Sequence, residues 1–269
     1  MDMKRLLLTM AAGLMALPAF NQIKEARTVE HFTGIQASHV FHITVTKGIV
    51  ESVVIEADEA IMHYVRCEVR NGVLHLYLER EATRWPKSIK ILKAHIVMNE
   101  LERVSLTGAC TLESRELFTP ATFTANCSGA SNMTIQVQCN DLNVRANGVG
   151  KIELKARVNG NAELDVSGVA KMAVELHGTY VKLSSGGVSS VDLTGSATDL
   201  QINISGTSRV GAGDFDSKNA VLNLYGTSTV TIGTTEVLKV NSSGASFVNY
   251  KGSPTIQLFN GGISKVKKI

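Results

Sequence analysis

The chain has 269 residues, of which 19% are charged, and its net charge is +3. A balance this close to neutral offers no broad basic face for nucleic acid and no attraction to an acidic membrane surface. Aromatic residues make up only 5% of the chain, and no second hydrophobic span follows the one at the N-terminus.

Lys4 and Arg5 precede an apolar run from Leu6 to Phe20 that is interrupted by Pro18. A basic start, a short apolar core and a small residue at Ala19 form the pattern of a secretory signal peptide. The run is short for a membrane span, and no cysteine follows it to carry a lipid. Residues 1–19 are therefore expected to be removed on Sec-type export, leaving a mature N-terminus near Phe20 or Asn21. The mature protein then resides in the periplasm, on the outer surface or in the medium, with no integral membrane span.

Residues 20–100 are expected to form an N-terminal β region that caps the remainder, because they do not follow its repeat phase. Val40–Thr46 and Ser52–Ala57 alternate as strands around Lys47-Gly48. Asp58–Val65 suits a short helical turn capped by Asp58. Cys67–Arg70 and Val73–Glu79 flank Asn71-Gly72, a strong hairpin signal. Arg84-Trp85-Pro86-Lys87 reads as an exposed loop.

From residue 101 to 269 one phrase returns, built around Gly108, Gly129, Gly148, Gly168, Gly187, Gly206, Gly226, Gly244 and Gly262. A fixed spacing of about twenty residues signals a solenoid. Mostly apolar residues stand four and two places before each glycine, as in Leu164 and Val166 or Ile202 and Ile204. The alternation resumes after it, as in Ile152 and Leu154 or Val230 and Ile232. Strict alternation means strands, so each coil is a strand, a corner at the glycine and a second strand. A return segment carrying Asn159-Gly160, Gly195, Gly213, Gly233 or Gly252 completes it. Two places after most of these glycines stands a small residue, such as Ser131, Ser189, Ser208, Ser228 or Ser246. If these point inward, their hydroxyls form a ladder along the corner. The class is all-β: a single-stranded right-handed parallel β-helix with coils of about 19–20 residues, the hand following the usual sense of parallel crossovers.

The stretches Arg27–Ile35 and Val40–Gly48, then Val54–Glu59 and Glu68–Leu74, resemble the opening of the head GIN domain family. Phrases such as Val166-Ser167-Gly168 and Ile204-Ser205-Gly206-Thr207-Ser208 resemble its body. The resemblance covers nearly the whole mature chain. It implies a secreted β-helical adhesin of the auto-transporter type found in Bacteroidetes-type bacteria. The chain stops at Lys267-Lys268-Ile269 within its last coil, so self-translocation through a barrel of its own is not expected.

Chemistry is sparse. Cys67, Cys110, Cys127 and Cys139 include no Cys-x-x-Cys pair, which removes the usual support for zinc or thioredoxin-like activity. Cys110 and Cys127 flank one corner, where a bridge is conceivable, but buried free thiols fit the columns better. His39 and His42 with a carboxylate would make a metal site only with further converging ligands, so no cofactor or metal is expected. Glu113, Glu153 and Asp192 form an outward acidic row beside a basic row of Lys151, Lys171, Arg209 and Lys265. Without loops to wall a cleft, these rows read as solvated surface and not as an acid–base pair.

Three function classes follow: a binding module, a structural envelope protein that self-associates, and a polysaccharide-active β-helix enzyme. The expectation is the first, a non-enzymatic adhesin-like rod with an unknown glycan or protein partner and scope for homo-oligomers. Its candidate binding surface comprises Trp85, Tyr225, Phe247, Lys151, Lys171 and Arg209.

Overall fold

A computed structural model of the chain describes residues 22–79 and 89–269. The elements are β1 (Gln22–Arg27), β2 (Gly34–Ala37), β3 (His42–Lys47), β4 (Ser52–Asp58), the single turn α1 (Glu59–Met62), β5 (Val65–Arg70) and β6 (Val73–Leu78). They continue with β7 (Leu92–Met98), β8 (Arg103–Leu106), β9 (Thr111–Phe118), β10 (Thr122–Gly129), β11 (Asn132–Cys139), β12 (Asp141–Gly148) and β13 (Lys151–Val158). The chain ends with β14 (Asn161–Gly168), β15 (Lys171–His177), β16 (Tyr180–Gly187), β17 (Ser190–Lys251), β18 (Thr255–Asn260) and β19 (Lys265–Lys268). β17 passes through several coils and turns corners at Gly206, Gly226 and Gly244, where φ is +118°, +125° and +139°.

These strands build an all-β parallel solenoid. Strands that precede a corner glycine stack into one sheet, and strands that follow it stack into a second. In the pre-corner sheet β8, β10, β12, β14 and β16 are parallel and in register, continuing into residues 199–206. In the post-corner sheet β11, β13 and β15 do the same, continuing into residues 190–196, and β9 joins parallel to β11 with one shift of register. The expected inward column is present: Val104, Leu164, Leu183, Ile202, Leu222 and Val240 are all buried. Successive inward residues therefore lie one strand spacing apart, about 4.8 Å, in one continuous apolar core.

The corner explains why glycine recurs. At Gly187 the backbone has φ +72°, a region that side chains disfavour. A Cβ there would lie 2.7 Å from the carbonyl oxygen of Gly168 in the next coil. That carbonyl accepts a hydrogen bond from the amide of Val188 at 2.9 Å, so the two backbones must touch. The expected hydroxyl ladder lies just inside: Ser185 and Ser189 are 2.5 Å apart, Ser189 and Ser208 3.2 Å, and Ser228 donates to Ser246 at 3.1 Å.

One expectation needs correction. No separate return segment exists in the regular coils, because the second strand runs directly to the opposite turn. Asn140 alone links β11 to β12, and Asn159-Gly160 links β13 to β14. Inward residues also alternate around a left-handed corner before residue 101. Ile35, Ala37, Phe41 and Ile43 are buried in phase around His39, whose φ is +74°. Histidine is among the few side chains that tolerate this region, and it stands where later coils have glycine. Near this end the stacking order departs from the chain order. β2 lies between β6 and β8, and β3 lies between β7 and β9, all parallel. A coil made by β6 and β7 therefore stacks on the far side of the β2–β3 coil.

Beyond it, β4 runs antiparallel to β7, β1 antiparallel to β4, and β5 antiparallel to β6 across Asn71-Gly72. The hairpin signal at Asn71-Gly72 is thus realised. β3 and β4, adjacent in sequence, are separated by β7 instead of pairing. α1 forms where the short helical turn was expected, but Asp58 provides no side-chain cap. Its carboxylate instead accepts the amides of Lys90 and Ile91, at 2.9 and 3.3 Å. Glu56 ties this end together, receiving Lys24 of β1 at 3.2 Å and Lys93 and His95 of β7 at 3.3 and 3.4 Å.

Candidate functional site

Because one face of each strand is committed to the core, the outward faces of the two sheets carry whatever binding the rod performs. Five of the six candidate residues fall within the described chain, and Trp85 lies outside it, as do residues 1–19. The five do not form one site. Lys151 and Lys171 are neighbours in one post-corner column, which continues to Ser190. The amide of Arg209 donates to Ser189 at 3.0 Å, placing Arg209 one coil further along. Phe247 lies in the same sheet beside Lys265 and is 49% exposed. Tyr225, 56% exposed, stands across the corner on the pre-corner sheet.

The post-corner face is charged and partly self-neutralised. Glu153 and Asp192 flank Ala173 in one row, around a hollow of about 300 Å³ also lined by Lys155 and Glu175. Lys151 pairs with Glu153, and Lys155 with Glu175 at 2.9 Å. The hydrogen bonds from Lys151 and Lys155 hold the Glu153 and Glu175 carboxyls below the usual carboxylate range. Such groups stay ionised, whereas a general acid at neutral pH needs the opposite shift. Lys171 and Arg209 have no ion-pair partner among the described residues.

The pre-corner face is polar without being basic. A hollow of about 380 Å³ is lined by Asp165, Ser184, Gly186, Asn203, Ser205 and Tyr225, among others. Asn241 donates its side-chain amide to the oxygen of Asn223 at 2.7 Å, and Asn223 donates to Asn203 at 2.8 Å. Three asparagines recurring at one position of the repeat thus form a hydrogen-bonded ladder.

Other candidate chemistry disperses. His31 pairs with Glu51 at 2.9 Å, His39 forms the corner, and His42 points outward from β3. Among the described residues no group of three metal-ligating side chains converges. All four cysteines are free thiols. Burial pushes the Cys127 thiol up to about 12 and the Cys139 thiol to about 11, which leaves almost no reactive thiolate at neutral pH. No helix among the described residues is long and apolar enough to cross a membrane.

Solved structures share this architecture. The crystal structure of "a putative adhesin" from Parabacteroides merdae has a TM-score of 0.68 at 16% identity, over 92% of this chain and 96% of its own. A "putative adhesin" from Parabacteroides distasonis has a TM-score of 0.62 at 18% identity, over 93% and 98%. A "putative lipid binding protein" from the same species has a TM-score of 0.59 at 16% identity, over 93% and 97%. At these identities the likeness concerns the fold. No curated protein matches the chain. The family model described as "Putative auto-transporter adhesin, head GIN domain" matches twice in succession, at residues 31–160 and 157–254. The stacked coils, the corner ladder and this double match agree, and the chain belongs to that family.

Proposed function

We propose that the protein is an exported, non-enzymatic binding module of the cell envelope, an adhesin-type rod that engages its partner through outward strand faces. The observation that carries this reading is the pair of continuous faces held in register along a rigid core. Such a scaffold repeats side chains at a fixed spacing, which suits an extended partner. Family membership supports adhesion, and the basic-then-apolar N-terminus supports export. Ionised, lysine-paired Glu153 and Glu175 argue against acid–base catalysis on the post-corner face. The antiparallel strands β1, β4 and β5 serve as the cap that blunts one end of the stack.

A structural role is favoured by one specific observation. Ile256 and Leu258, although in inward columns, are 37% and 53% exposed, apolar surface that self-association would cover. Two measurements on the full chain separate the readings. Protease shaving of intact producing cells should degrade the protein, and the purified protein should bind a glycoprotein-coated surface saturably as a monomer. A protease-protected pool, with concentration-dependent oligomers in sedimentation and no saturable binding, would establish the structural role instead.

A further inference from the structure

Resting on the binding-module reading, we infer that the hollow over Gly186 is a binding site for an uncharged pyranose residue of a glycan. The asparagine ladder runs in one direction along the rod. The oxygen of Asn203 accepts from Asn223 at 2.8 Å and also from Gln201 at 3.2 Å. With both lone pairs filled, its orientation is set, and its own NH₂ is left as the terminal donor of the ladder. Successive members of that column are Ser184 and then Asp165. Asp165 has no ion pair or hydrogen-bond partner among the described side chains. The ladder thus presents a fixed amide donor, a hydroxyl and an ionisable acceptor over two coil steps. That span is about 10 Å, comparable to one sugar ring with its hydroxyls.

In the adjoining column Gly186 pairs with Ser205, and its missing side chain leaves the floor open. A Cβ at Gly186 would meet nothing closer than 3.6 Å, so neither backbone nor packing demands glycine there. This distinguishes it from Gly187 beside it. Tyr225 supplies an exposed ring for the apolar face of a sugar, as stacking sites on carbohydrate-binding surfaces require. The charge pattern selects among sugars. No lysine or arginine lines the hollow, and the Asp165 side chain disfavours an acidic ligand, which is discrimination by repulsion.

The test uses the purified full chain labelled with ¹⁵N. The probes are methyl glucoside, methyl galactoside and methyl mannoside, with galacturonate as the acidic comparison. At least one neutral glycoside should shift the amides of Gly186 and Ser205 and the side-chain NH₂ of Asn203. Tyr225→Ala, Asn203→Asp and Gly186→Val should each weaken that binding about tenfold or more, with unchanged thermal unfolding. Tyr225→Phe keeps the ring and should retain binding even if Tyr225→Ala folds poorly. The site is overturned if no neutral glycoside moves these resonances, if galacturonate binds there equally well, or if the folded variants bind like the parent. Retention on glycoproteins that survives Gly186→Val would overturn this site and leave the broader binding role standing. Loss of retention by the unmodified protein would strike the broader role itself.

Discussion

Adding one methyl group at Gly187 tests why the repeat exists. Alanine in the left-handed region costs about 1–2 kcal/mol. Its Cβ would also sit 2.7 Å from the Gly168 oxygen and 3.1 Å from the Gly168 nitrogen. Relieving that contact means moving a backbone whose carbonyl already accepts the Val188 amide at 2.9 Å. Strain of this kind in a packed site costs about 1–3 kcal/mol. Gly187→Ala should therefore destabilise the rod by roughly 2–5 kcal/mol, the sum of the two. Gly186→Ala is the internal control: its Cβ has 3.6 Å of clearance. That change should be neutral or stabilise by up to about 1 kcal/mol through the unfolded chain. Urea unfolding followed by far-ultraviolet circular dichroism measures both variants. Equal effects at the two positions, or a change below about 0.5 kcal/mol at Gly187, would refute the contact argument.

Other consequences follow from the same geometry. Ile204 is 1% exposed in the middle of the core, so Ile204→Ala should cost about 2–5 kcal/mol and Ile204→Asp should prevent folding; calorimetry on the soluble fraction checks both. Burial opposes ionisation of Glu56, yet hydrogen bonds from Lys24, Lys93 and His95 outweigh it and lower its pKa. A folded pKa below the unfolded one gives stability that is present above the unfolded pKa and lost as pH falls through the folded value. Glu56→Gln should thus remove about 1–2 kcal/mol at pH 7, and the difference from the parent should shrink in acid unfolding below pH 4. Replacing Lys151, Lys171 and Arg209 together by Gln should change stability by less than about 1 kcal/mol, since the one ion pair lost, Lys151–Glu153, has both side chains about half exposed.

The periodic part of the fold was legible because each coil repeats the same physical demand. A left-handed corner, a touching carbonyl and alternating apolar residues leave few choices of residue. The β2–β3 coil escaped notice because His39 performs the corner's task without being glycine. The β6–β7 coil was hidden because its two strands are separated by the stretch between Leu78 and Leu92. Periodicity reports which residues face inward, not which coil stacks on which, so the insertion of β2–β3 between later strands was not readable. The longest interval, from Gly108 to Gly129, has a local cause in β9. There Glu113 and Leu117 align with Thr134 and Gln136, so β9 carries two extra residues.

The outward faces were harder to read for the opposite reason: solvent tolerates nearly any polar residue. The basic row of Lys151, Lys171 and Arg209 stood out in the sequence, but its carboxylate neighbours neutralise part of it. The asparagines at 203, 223 and 241 looked like ordinary polar positions. Only the distances between coils reveal that their amides align and end in a donor. Tyr225 was expected in an outward binding surface, and its setting beside Gly186 and Ser205 came from the hollow they line together.

Adherence of the producing cells to a glycoprotein-coated surface tests the proposed role most directly, comparing cells with the gene, without it, and with it restored. Deletion should reduce retention severalfold, restoration should recover it, and growth and detergent resistance should stay unchanged. Unaltered adherence together with a detergent-sensitive envelope would contradict the account and make the rod a structural element of the envelope.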